Sequence, residues 1–127
     1  MIFQSLPFYL RTIGQRNSGN MLGLERMSSN SILWTTYIAV KNGDDAAVAI
    51  AKAELSAMTS KLKEFGSTND TAVEFVYLNY ADSSQDPLGS YGPKNVAFMK
   101  DVARLYDPQG WWQRRVPGGF KLSRVTA

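Results

Sequence analysis

Two phenols and one amide lie close together in the middle of the chain, at Tyr77, Asn79 and Tyr80. The apolar, β-branched and aromatic residues around Tyr77 predict a strand over Val73–Leu78. The polar residues 81–87 predict the end of that strand. Side chains at a strand end are a common place for a ligand site. The alternative is that the two tyrosines are packing residues whose hydroxyls reach water.

Acid–base chemistry in this chain would have to use tyrosine, aspartate, glutamate or lysine, because its 127 residues include no histidine and no cysteine. The same composition removes the usual zinc ligands and any disulfide, and we expect no metal site. An ordinary phenol has a pKa of about 10, so a tyrosine accepts a proton at neutral pH only beside a cationic or strongly hydrogen-bonding partner. Tyr80 is the candidate for such a role.

The composition is that of one small globular domain, with 44% hydrophobic and 20% charged residues. A net charge of +3 is too small to indicate a nucleic-acid partner. There is no run of about 18 apolar residues, so we expect no membrane-spanning helix and no membrane partner. The first residues lack a basic region followed by a long apolar one, which makes them a poor signal peptide.

Hydrophobic periodicity predicts helices as well as strands. Apolar residues at steps of three and four predict a helix over Asp45–Phe65, with Asp44 as N-cap and Gly66 just after its end. We expect the apolar stripe of this helix to pack on a sheet, although periodicity leaves parallel and antiparallel pairing open. The remaining predictions are strands at 1–6 and 31–41, a long loop at 11–31 with a brief strand at 21–24, a second helix at 93–106, and an irregular basic tail at 111–127.

Several short motifs occur in order along the chain. Upstream they are Phe3-Gln4-x-Leu6-Pro7 and Gly19-Asn20-x-Leu22-Gly23-Leu24, and downstream they are Tyr77-x-Asn79-Tyr80-Ala81-Asp82, Gln85-Asp86-Pro87, Ser90-Tyr91-Gly92 with Asn95, Tyr106-Asp107-Pro108, and Gln113 with Pro117-Gly118-Gly119-Phe120. This series resembles the C-terminal region of berberine-bridge-enzyme-like FAD-linked oxidoreductases, which are flavoproteins of the vanillyl-alcohol-oxidase type.

The resemblance implies a fold and a set of roles. It implies an α+β fragment of a substrate-binding domain, with a partial antiparallel sheet covered by two helices and an irregular C-terminal tail. Residues 1–72 would belong to the substrate-binding domain and residues 73–127 to the berberine-like C-terminal segment. It further implies that Tyr80 is the catalytic proton acceptor, that Asn79 and Tyr77 lie at FAD, and that Gln4 lines the substrate side of the sheet.

One departure from the family pattern decides which functions are open. The phosphate-binding loops and the histidine, often with a cysteine, that anchor FAD in such enzymes have no counterpart here. The chain would therefore oxidise a small alcohol, sugar or secondary metabolite only with an FAD-binding domain that lies upstream or acts in trans. The alternatives are a stand-alone binding or scaffold remnant of the fold, and a cofactor-free lyase or cyclase that uses Tyr80 as an acid. Relatives of this kind are often secreted, but the compartment stays open.

Overall fold

A computed structural model describes residues 1–41 and 44–125. In chain order its strands and helices are β1 (Ile2–Leu6), α1 (Tyr9–Arg16), β2 (Ser31–Thr35), α2 (Asp45–Thr68), α3 (Pro93–Tyr106) and α4 (Trp111–Arg114). Short 3₁₀ turns lie at Leu24–Arg26, Leu78–Tyr80, Gly89–Tyr91 and Leu122–Arg124. The chain divides into two compact units, one of Met1–Leu6 with Asn30–Val73, and one of Pro7–Ser29 with the described residues from Glu74 onward.

The first unit contains a two-stranded antiparallel sheet. β1 pairs with β2 in a register that sets Phe3 opposite Trp34, which confirms the α+β class and the antiparallel pairing. The prediction that the second strand continues to Lys41 is wrong beyond Thr35. β-Branched and aromatic residues favour strands only where a pleated surface is covered. β1 is largely exposed and β2 is mostly half-buried, so the pattern over residues 36–41 has no well-covered surface to stabilise it.

Helix α2 begins as predicted and ends later than predicted. The Asp44 side chain accepts a hydrogen bond from the Ala47 N–H at 2.7 Å, which confirms the N-cap. Gly66 lies inside the helix, and the chain leaves it at Asn69, whose side-chain N–H donates to the Phe65 carbonyl oxygen at 2.8 Å. The apolar stripe was expected to be core, yet of its residues only Ala51 is buried, while Val48, Leu55, Met58 and Leu62 are half-buried and Phe65 is exposed.

The second unit opens with a helix where a loop was predicted. α1 is amphipathic, and its Arg11 guanidinium donates to the Met27 carbonyl oxygen at 2.8 Å. The polar and glycine residues of this region indicated a loop, but the hydrogen bond to Met27 is a tertiary contact that local pattern does not encode. The brief strand predicted at 21–24 is also wrong, because Gly23 has a φ of 73° and leads into the 3₁₀ turn Leu24–Arg26.

The buried core of the second unit lies around α3, whose limits at Pro93 and Tyr106 match the prediction. Its central residues are Leu88, Tyr91, Val96 and Val125. Val125 lies in the tail that was predicted to be irregular. That prediction is wrong for α4 and for the 3₁₀ turn at Leu122–Arg124, which directly precedes Val125. The Lys100 ammonium donates to the Val125 carbonyl oxygen at 2.9 Å. The end of the described chain is therefore packed into this unit.

The segment Val73–Leu78 is not a strand. Residues 73–77 have no strand partner, and Leu78 begins a 3₁₀ turn. Two backbone groups of the segment are bonded to side chains: the Arg26 guanidinium donates to the Glu74 carbonyl oxygen at 3.2 Å, and the Val76 N–H donates to the Ser90 hydroxyl oxygen at 3.0 Å. Such bonds satisfy backbone groups as a ladder would. The prediction of a strand from the period-two pattern is therefore wrong.

Two valines of α3 provide a test of this core. Val96 is 1% exposed and Val102 is 38% exposed on the same helix. Val96→Ala removes two buried methyl groups and should lower the free energy of unfolding by about 2 kcal/mol. Val102→Ala has the same helix-propensity change and should cost less than about 1 kcal/mol. Urea unfolding of both variants measures the difference, and equal losses would contradict the placement of the core around Val96.

Candidate functional site

The structure brings together three of the four residues selected from the sequence. The 3₁₀ turn Leu78–Tyr80 folds the chain back so that Tyr77 and Tyr80 meet edge to face, with ring centres 5.0 Å apart and planes at 86°. The Asn79 side-chain N–H donates to the Tyr77 hydroxyl oxygen at 2.9 Å. We refer to Tyr77, Asn79 and Tyr80 as the phenol–amide group. Edge-to-face packing is a favourable arrangement for two aromatic rings, so the two phenols hold each other.

The fourth predicted residue lies elsewhere in the chain. Gln4 is exposed on β1, opposite Leu33 of β2, and belongs to the first unit. The phenol–amide group belongs to the second unit. The role of Gln4 beside a substrate therefore stays a prediction.

Two aromatic residues that the site prediction did not include support the group. Phe75 stacks on Tyr77 with ring centres 6.4 Å apart, and it stacks on Tyr91 at 6.0 Å. Tyr91 is buried, and burial raises the pKa of its hydroxyl. Both residues carried a signal in the sequence. Phe75 shares the period-two face of Tyr77, and Tyr91 is the centre of the Ser90-Tyr91-Gly92 motif.

The group is open to solvent. Tyr80 is 53% exposed, Asn79 is exposed and Tyr77 is half-buried. Asn79 uses one N–H on Tyr77 and still has a second N–H and a carbonyl oxygen to offer. Hydroxyl and amide groups at this surface match the donors and acceptors along one edge of a flavin ring. These donors and acceptors are compatible with hydrogen bonds to one edge of a flavin.

Other kinds of site find less support. Among residues 1–41 and 44–125, no group of three or more acidic side chains could hold a metal ion. Over the same residues, no helix is both long and apolar enough to cross a membrane. An open depression of about 530 Å³ lies between the end of α3 and α4, and its lining includes Arg104, Asp107, Gln113 and Ser123. Its lining does not include the phenol–amide group.

Comparison with curated proteins reveals several FAD-dependent monooxygenases as relatives. The chain is 37% identical over 123 residues to the FAD-dependent monooxygenase drtC of Aspergillus calidoustus, and the match covers 97% of this chain and 23% of drtC. It is 35% identical over 113 residues to the FAD-dependent monooxygenase sdcF of Emericella nidulans, covering 87% of this chain and 23% of sdcF. This chain is similar to part of FAD-dependent monooxygenases. It spans about a quarter of the length of these relatives.

A relative with a different name shares the same segment. The oligopeptidase PhomG′ of Diaporthe leptostromiformis is 35% identical over 127 residues, which cover 96% of this chain and only 10% of that protein. The match covers too small a part of that protein for its activity to be inferred for this chain. No protein-family profile matches the chain, and no solved structure does. The relatives' names support FAD as the cofactor of the whole enzymes, while the berberine-bridge-type assignment stays a prediction.

The buried hydroxyl of Tyr91 predicts a loss of stability in alkali. Its folded-state pKa is raised above the ordinary value of 10.0, chiefly by burial. The resulting stabilisation is fully present below pH 10.0 and is lost as the pH rises through the folded-state pKa. Urea midpoints measured from pH 8 to pH 11 should fall, and Tyr91→Phe should fall less steeply than the unmodified chain. Tyr106→Phe, at an exposed position, is the control and should follow the unmodified chain.

Proposed function

We propose that this chain is the C-terminal, substrate-domain part of an FAD-linked oxidoreductase of the berberine-bridge-enzyme-like type. The substrate class is a small alcohol, sugar or secondary metabolite. The observation that carries the proposal is the phenol–amide group, in which Tyr77, Asn79 and Tyr80 form one cluster at an accessible surface. The similarity to FAD-dependent monooxygenases over nearly the whole chain supports the cofactor.

Tyr80 is the proposed proton acceptor for a substrate hydroxyl. Its ring is held by Tyr77, and more than half of its surface remains accessible, so a substrate oxygen can reach it. A tyrosine accepts a proton at neutral pH when neighbouring donors or cations stabilise the phenolate. Bound FAD supplies the acceptor for the hydride in such a reaction.

Asn79 and Tyr77 are the proposed contacts of this chain with FAD. Asn79 offers both an N–H donor and a carbonyl acceptor, and its bond to Tyr77 orients the amide. These contacts would orient a flavin edge but would not anchor the nucleotide, because the chain has no histidine or cysteine for a covalent link. In this proposal the anchoring residues lie in an FAD-binding domain, upstream or in trans. The length of the relatives is consistent with such a domain.

The exposed state of the first unit supports a larger assembly. A two-stranded sheet is marginally stable by itself, and three or more strands with a covered face are the usual minimum. Large apolar side chains of β1 and β2 are exposed, among them Ile2, Phe3 and Ile32. In the proposal these strands continue a sheet of a substrate-binding domain to which residues 1–72 belong. Residues 73–127 form its berberine-like C-terminal segment.

The exposed strands predict that the 127-residue chain associates with itself when no partner is present. Unpaired strand edges and exposed apolar faces favour contacts between copies. Sedimentation velocity should show species larger than a monomer, and Phe3→Lys with Ile32→Lys should shift the distribution towards the monomer. Thr12→Lys, which adds one charge to the partly exposed helix α1, is the control for charge and should leave the distribution unchanged. A stable monomer of the unmodified chain with one cooperative melt would contradict the prediction.

Tyr80→Phe tests the catalytic role. Loss of the proton acceptor should lower kcat by about 10²–10⁴-fold in the FAD-loaded enzyme that contains this chain. Tyr106→Phe removes a hydroxyl at an 81% exposed position and should leave kcat unchanged. Mass analysis of the product adds a second readout, because loss of two hydrogens indicates alcohol oxidation and gain of one oxygen indicates monooxygenation. Full turnover by Tyr80→Phe would contradict the proposed base.

A second candidate function follows from the second unit. It has a buried core of its own around Val96, which is compatible with a stand-alone binding or scaffold module that has no redox chemistry. Sequencing the transcript that encodes this chain separates the two candidates. A reading frame that continues into an FAD-binding domain supports the oxidoreductase. A transcript limited to this chain, together with tight binding of a small molecule in the absence of FAD, supports the module.

A further inference from the structure

Tyr91 is linked to the phenol–amide group by two packing contacts. Its ring stacks on Phe75, with centres 6.0 Å apart and planes at 22°, and Phe75 in turn stacks on Tyr77. Leu78, the residue that begins the 3₁₀ turn leading to Tyr80, packs against the buried cluster that contains Tyr91. The first contact orients one phenol of the pair, and the second holds the turn that carries the other phenol.

Tyr91 is itself held firmly. Tyr91 is 5% exposed, and its N–H donates to the Leu88 carbonyl oxygen at 3.2 Å. The buried Asn95 side chain donates to the Tyr91 carbonyl oxygen at 3.1 Å. Gly23 packs against the same carbonyl so closely that a Cβ at Gly23 would collide with it. Because the Tyr91 backbone is held at both its N–H and its carbonyl oxygen, its side chain is fixed in place and orients the residues that it contacts.

The neighbouring residue strengthens the same connection. The Ser90 hydroxyl donates to the Pro87 carbonyl oxygen at 2.6 Å and accepts from the Val76 N–H at 3.0 Å. Val76 lies between Phe75 and Tyr77, the two rings of the stack. The turn Gly89–Tyr91 therefore holds the segment at two neighbouring residues, Phe75 through the Tyr91 ring and Val76 through the Ser90 hydroxyl.

We propose that Tyr91 is the positioning residue of the phenol–amide group, setting the separation and angle of the Tyr77 and Tyr80 rings through its packing with Phe75 and Leu78. Tyr91 does not touch substrate in this assignment. It acts by keeping Tyr80 in one orientation, since a proton acceptor works only when it is held within hydrogen-bond reach of the group it serves. The catalytic meaning of this position rests on the proposed function, whereas the positioning itself does not.

The test uses the complete chain with 3-fluorotyrosine incorporated at position 80 and ¹⁹F NMR as the readout. Tyr91→Leu removes the ring, so the stack on Phe75 is lost and the fluorine signal should be displaced or split. Tyr106→Leu is the matched control, because the same ring is removed at an exposed position, and its signal should coincide with that of the unmodified chain. The thermal midpoint is measured for each variant, which separates local displacement from loss of folding.

One result overturns the proposal: a Tyr91→Leu signal that coincides with that of Tyr106→Leu in a folded chain. If Tyr91→Leu does not fold, nuclear Overhauser contacts in the unmodified chain decide the question. Contacts from Tyr91 to Phe75 and from Phe75 to Tyr77 support the proposal, and their absence overturns it. Neither measurement uses flavin or substrate. Failure of the positioning role is thus distinguishable from failure of the proposed oxidoreductase function, which only the turnover of Tyr80→Phe reports.

Discussion

Side chains from elsewhere in the second unit bond the segment Glu74–Tyr77, and the arrangement of the candidate site depends on this. The Arg26 guanidinium donates to the Glu74 carbonyl oxygen, and the Val76 N–H donates to the Ser90 hydroxyl oxygen. A strand would be bonded at the same spacing by its neighbour. Between and beside these two bonds, Phe75 and Tyr77 stack on each other.

This arrangement links the core of the second unit to its surface. Val96, Tyr91 and Val125 are buried together, and Phe75 packs against them while also touching Tyr77. The aromatic row thus runs from a buried, water-excluded end to an exposed one at Tyr80. Such a gradient suits a reactive group, because packing orders the inner residues and leaves the outer hydroxyl accessible. The motif Ser90-Tyr91-Gly92 has a structural explanation here, since each of its residues holds the segment or the core.

The two units differ in how complete they are. The second has a buried cluster and closes around α3, whereas the first has a two-stranded sheet with exposed apolar residues and a helix whose stripe is mostly half-buried. Amphipathic helices and alternating strands normally bury their apolar faces. The first unit therefore carries apolar surface that its own described residues do not cover. Relatives that are about four times as long provide a physical setting in which that surface is covered.

Local periodicity and end signals were sufficient to predict the starts of α2 and α3, the Asp44 cap and the proximity of Tyr77, Asn79 and Tyr80, which are close in the chain. The antiparallel direction of the β1–β2 pair was implied only by the family resemblance. Tertiary contacts alone decided the helix α1, the loss of the strand at Val73–Leu78, and the support of the site by Phe75 and Tyr91. Those outcomes rest on bonds between residues from 14 to 64 positions apart, such as Ser90 with Val76 and Arg26 with Ser90, and no local pattern records such partners.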